Sequence, residues 1–118
     1  MPKKRRARLT DDESRAFDEA MRLRELEDYE PCIRLLTELR ERHPDHGPVT
    51  FMLAAALFEV DRFGDCVVHA ERAVSLSPRS ELASRLLVHA LFSVSRFEEA
   101  FEEVARFRSR FPSEEYDR

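Results

Sequence analysis

The segment ALFEVDRF, residues 56–63, returns as ALFSVSRF at residues 90–97, with six of eight positions identical at an offset of 34. Pro44, Pro78 and Pro112 keep the same spacing, and one period earlier RLRELEDY, residues 22–29, retains the second-position Leu and a final aromatic. A period of this length in a 118-residue chain divides it into three units, each too small to bury its own apolar face and each needing its neighbour. Composition sets the class. The chain is rich in Leu, Ala, Glu and Arg, has only two glycines and no Trp, and is 42% hydrophobic, which suits an all-α domain with a real core.

Helix punctuation falls at repeating positions. TDDE, residues 10–13, reads as a capping box in which the Thr10 hydroxyl accepts from an orphan N–H and Glu13 reaches back. SRFE, residues 95–98, reads as a second box, with Asp28 and Asp61 as caps at similar places and Pro31 in a first turn. These signals predict helices over 11–25, 29–42, 48–60, 62–75, 81–94 and 96–110. Short connections make successive helices antiparallel.

The chain resembles the tetratricopeptide repeat family, a 34-residue helix-turn-helix unit that stacks into a right-handed α-solenoid. The resemblance covers residues 13 to 112. It rests on Ala20 and Leu23, Ala54 and Leu57, Val88 and Leu91 at the small and apolar signature positions, on Tyr29, Phe63 and Phe97 at the turn aromatic, and on Cys32, Cys66 and Ala100 at the small position of the second helix. The chain departs from the family in lacking its Trp, in Glu19 where Leu is usual, and in Asp61 and Ser95 where Gly is common. The implied architecture is three antiparallel helix pairs, repeats 13–46, 47–80 and 81–114, in one domain over 10–118 that follows a basic, disordered tail over 1–9.

FMLAAALF, residues 51–58, has no polar side chain in a chain that is 37% charged. The resemblance accounts for three of its sides, because first helices line the concave face and pack on their own second helix and on neighbouring first helices. On a helical wheel Phe51, Met52, Ala55 and Phe58 remain along the open arc. Phe17 and Met21 continue that stripe in the first unit, and Leu82, Arg85, Leu86, His89 and Phe92 in the third. These eleven residues are the candidate groove for a protein or peptide partner with an apolar or amphipathic segment. The competing reading makes them core side chains filling a tightly curved superhelix. Family members that hold acidic chaperone tails use Lys, Asn and Arg where this chain has Phe17, Met21, Met52, Leu82 and Leu86, so a carboxylate clamp is not expected.

The remaining features are bland. Cys32 and Cys66 occupy one repeat position a unit apart, too distant for a disulfide, and read as buried small residues. HPDH, residues 43–46, lacks a second ligand pair and is not read as a metal site. The carboxylates Glu98, Glu99, Glu102 and Glu103 read as a solvated helix face. No catalytic, cofactor-binding or metal-binding group is expected, and the chain is read as a non-enzymatic adaptor or chaperone-like module. Its architecture resembles that of small tetratricopeptide chaperones of bacterial secretion systems, and toxin-neutralising proteins use the same scaffold.

Lys3, Lys4, Arg5, Arg6 and Arg8 make the N-terminus basic, while the whole chain carries a formal charge of −4, so a broad nucleic-acid surface is not expected and contact with nucleic acid through the tail alone is a further, less favoured alternative. No apolar run is long enough to span a membrane, the N-terminus lacks a signal-peptide core, and the 18 arginines against two lysines suggest a bacterial, cytoplasmic protein. At the C-terminus Phe101, Phe107 and Tyr116 are expected to leave an apolar end, through which a homo-oligomer is the alternative assignment.

Overall fold

A computed structural model of the chain describes residues 8–111 and 116. The basic residues Lys3, Lys4, Arg5 and Arg6, with Pro112 and Ser113, lie outside the described residues. Six helices follow one another: α1 (Asp11–Glu25), α2 (Tyr29–Arg42), α3 (Gly47–Glu59), α4 (Phe63–Leu76), α5 (Glu81–Ser93) and α6 (Phe97–Arg110). Each packs on the helix before and after it, and α3 also touches α5, which gives an array 42 × 40 × 22 Å in extent. No described residue is in a strand. The all-α solenoid expected from the 34-residue period is the observed architecture.

The first helices of the three pairs start on side-chain caps. Thr10 Oγ1 accepts from the Glu13 amide at 3.1 Å and Glu13 Oε1 accepts from the Thr10 amide at 2.9 Å, the reciprocal box expected from TDDE. At α3 the cap is His46, whose Nδ1 accepts from the Val49 amide at 3.2 Å, and at α5 it is Ser80, whose Oγ accepts from the Ala83 amide at 3.1 Å. The second helices start differently. Asp28 occupies the N-cap position of α2 without a side-chain bond, and Arg62 and Arg96, in place of the expected Asp61 and Ser95, stand at the N-caps of α4 and α6.

Asp61 and Ser95 instead complete the preceding turn. Glu27, Asp61 and Ser95 have φ of 59°, 62° and 63°, and the next amides, of Asp28, Arg62 and Arg96, donate back to the carbonyls of Leu23, Leu57 and Leu91 at 2.8–2.9 Å. This is the Schellman turn, whose left-handed position favours glycine because a Cβ there is crowded. Asp61→Gly is therefore expected to stabilise the fold by about 0.5–1 kcal/mol, the relief of strain exceeding the added freedom of the unfolded chain. A urea unfolding midpoint that rises with an unchanged slope is the expected result.

The core runs through the small and branched residues of the repeat. Ala20, Leu36, Leu53, Ala54, Ala56, Leu57, Val67, Ala70, Ala90 and Ala100 are buried, and Cys32 and Cys66 lie among them as free thiols. Burial pushes both thiols up, Cys66 to about 11, as expected of cysteines that serve as small apolar residues. Neighbouring pairs are also tied by a repeated polar lock. Arg72 donates to the Pro44 carbonyl at 3.4 Å and pairs with Asp45, while Arg106, one period later, donates to the Pro78 carbonyl at 3.2 Å. Each lock joins the second helix of one pair to the turn closing the pair before it.

Candidate partner-binding cleft

A cleft of about 410 Å³ opens between α1, α3 and the α4–α5 junction. Phe17 and Met21, one turn apart on α1, form one wall; Pro48, Phe51 and Met52 of α3 form the other; Ala73, Ser77, Ser80 and Ala83 close the end. Among the described residues, no charged side chain lines it. Its shape depends on Gly47, where a Cβ would come within 3.3 Å of Ser77 Oγ, so glycine lets the start of α3 lie against the end of α4. Phe17 also meets the His46 ring edge-on at 6.4 Å, which orients the α1 wall toward the cap of α3.

Of the eleven groove residues expected from the sequence, Phe17, Met21, Phe51 and Met52 meet in this cleft. Ala55 is only 8% exposed, because it faces the packed interior as much as the open arc. Phe58 is half-buried, ring-packed on Phe63 at 5.1 Å and on His89 of the next pair at 6.5 Å, so it works mainly as an inter-helix wedge. Leu86 packs against the core, Arg85 is half-buried, and Leu82 and His89 are exposed outside the cleft lining. Phe92 belongs elsewhere, with Phe97 and Phe101 on α6. The helical wheel does not point to Pro48, Ser77 and Ser80: Pro48 reaches the cleft from the first turn of α3, and Ser77 and Ser80 from the turn between α4 and α5, whose geometry a wheel ignores.

The apolar C-terminal end is also differently built. Phe107 is 2% exposed, covered by the Phe111 and Tyr116 rings at 5.0 and 5.6 Å, so it is core and not an open contact. Glu103, read as solvated, is buried: it accepts from Ser84 Oγ at 2.6 Å and from the Arg106 guanidinium at 2.7–2.8 Å. The Tyr116 hydroxyl joins the same group, 2.8 Å from Ser84 Oγ. Exposure on α6 lies instead at Phe97 and Phe101.

The two histidines of HPDH have separate structural tasks. His46 caps α3, and His43 Nε2 lies 2.9 Å from Glu13 Oε1, joining the end of α2 to the start of α1. Among the described residues no group of three or more His, Cys, Asp or Glu side chains could hold a metal. The Thr10 amide, and after it the His43 ring, hold the Glu13 carboxyl down from 4.5 to about 2. A depressed carboxyl contributes its full stabilisation above the unfolded value of 4.5 and loses it as pH falls toward the folded value near 2. Acid unfolding followed by circular dichroism should therefore steepen over that window, and Glu13→Gln should flatten that limb.

Six helices in three stacked pairs, with an apolar cleft on the side of the first helices, have the architecture of a tetratricopeptide-repeat-like α-solenoid. No family model and no curated protein matches the sequence. Solved structures do match. A point mutant of MamA superposes with a TM-score of 0.78 at 21% identity, over 91% of this chain and 78% of that one. The TPR2B domain of yeast Sti1, in a complex with pHsp70, gives 0.77 at 20% identity over 85% and 80% of the two chains. The first TPR of Spaghetti (RPAP3), bound to the HSP90 peptide SRMEEVD, gives 0.74 at 19% identity over 80% and 75%. At these identities the likeness establishes the fold. No helix among the described residues is long and apolar enough to cross a membrane.

Proposed function

We propose that this chain is a non-enzymatic protein-interaction module whose cleft accepts the apolar face of an amphipathic segment of a protein partner. The observation that carries the reading is the uncharged, two-walled cleft of Phe17, Met21, Phe51 and Met52. Two structural neighbours hold chaperone-derived partners, one of them the HSP90 peptide SRMEEVD, whose carboxylates call for cationic side chains. This cleft offers rings and thioethers instead, which suit Leu, Met or Phe anchors at i, i+3 or i+4, and i+7. An adaptor and a chaperone that shields an apolar segment use the same chemistry. A cytoplasmic, bacterial setting belongs to the proposal and is supported by composition alone.

Selection of displayed peptides against the intact chain tests the reading. Recovered sequences are expected to share helically spaced apolar anchors and to lose binding to the Phe51→Glu variant. Enrichment of acidic C-terminal sequences, or equal binding to both proteins, would overturn it.

A further inference from the structure

The sulfur atoms of the chain fall into two surroundings. Of its three methionines and two cysteines, Met1 lies outside the described residues, Cys32 and Cys66 are free thiols at 0% exposure, and Met21 and Met52 are half-buried on opposite walls of the cleft. A thiol reacts with peroxide as its thiolate. Burial blocks approach to Cys32 and Cys66 and also pushes their ionisation up, Cys66 to about 11. A thioether needs no deprotonation, only access, and a cleft of about 410 Å³ has room for several molecules the size of water or hydrogen peroxide.

Oxidation at these two positions inverts the chemistry of the cleft. The sulfur lone pair attacks one peroxide oxygen and an S–O bond forms as the O–O bond breaks; the proton on the transferred oxygen passes to the departing hydroxide, which leaves as water. The sulfur is oxidised to the sulfoxide and the peroxide is reduced. In the free protein each sulfoxide oxygen is hydrated. A bound apolar anchor strips that water away, and among the described residues no charged side chain of the lining replaces it. Because α1 and α3 carry one methionine each, an anchor seated between the walls meets a sulfoxide on either side. The fold itself is spared, since both side chains pack against the edge of the core and not within it.

Resting on the reading of the cleft as the partner site, we propose that it is a peroxide-sensitive one: conversion of Met21 and Met52 to their sulfoxides releases the apolar segment, and reduction restores capture. The reductant is a dithiol, acting through methionine sulfoxide reductases of both epimer specificities; the dithiol becomes a disulfide and the oxygen leaves as water. By linkage, a bound segment that covers both sulfurs slows their oxidation.

The test uses the intact chain and a peptide from the displayed-peptide selection that contains neither Met nor Cys. After treatment with hydrogen peroxide, peptide mapping by mass spectrometry should place oxygen on Met21 and Met52 and none on Cys32 or Cys66, with helicity unchanged. Fluorescence anisotropy should show an affinity at least about tenfold weaker, recovered on incubation with the two reductases and dithiothreitol. Saturating peptide should retard the oxidation. In the double variant Met21→Leu, Met52→Leu, whatever its starting affinity, peroxide should change nothing. Unaltered affinity of the doubly oxidised protein, an equal loss in the double variant, or oxidation of the cysteines ahead of the methionines would each overturn the proposal. Failure of the untreated protein to bind any selected peptide would overturn the functional reading first, and the peroxide response with it.

Discussion

Leu57→Ala is expected to lower unfolding stability by roughly 3 kcal/mol, a transfer loss for the removed atoms plus the cavity they leave. Leu57 is 1% exposed in the middle pair, and its backbone carbonyl also receives the Arg62 amide at the turn into α4. In a linear array the middle pair supports both neighbours, so loosening it weakens two interfaces at once. Leu23, at the same repeat position, is half-buried, and its truncation should cost about half as much. Urea unfolding of the two variants provides the comparison. Equal losses would mean that the pairs are not coupled as the stacking implies.

The second large effect concerns binding. Phe51→Glu replaces one wall of the cleft with a carboxylate facing an uncharged lining, and the bound state must then either desolvate that charge or leave the ring's volume unfilled. Truncating a central aromatic anchor commonly costs 2 kcal/mol or more, and the buried charge adds to it, so a loss of about 3 kcal/mol, or a hundredfold in Kd, is expected. Val68→Glu is the matched control, since Val68 is exposed on α4 and lies outside the cleft lining. Both variants should keep wild-type helicity, because Phe51 is half-buried and Val68 exposed.

The helices and their stacking were legible in the sequence because the period repeats three times and the apolar positions are set by helix geometry. The turns were less so. Asp61 and Ser95 are good N-cap residues by chemistry, yet their left-handed backbone makes them the last residues of a Schellman turn; the side chain alone does not distinguish the two roles. Within the groove, Phe17, Met21, Phe51 and Met52 were found by the wheel, which places residues around a single straight axis. It could not register that Phe58 would be claimed by Phe63 and His89, or that Phe92 would turn to α6. Glu103 looked solvated because Ser84, whose hydroxyl donates to it, is 19 residues away in the chain. Phe107 was buried by the C-terminal packing.

Met21 and Met52 make the central claim directly measurable, since they stand on opposite walls of the cleft. Methyl-labelled methionine spectra should be recorded while a selected amphipathic peptide is titrated into the intact protein. Both methyl resonances are expected to shift in parallel with saturation and to stay unmoved in Phe51→Glu at the same peptide concentration. Saturable binding that leaves both methyls in place would contradict the assignment of the cleft as the binding site.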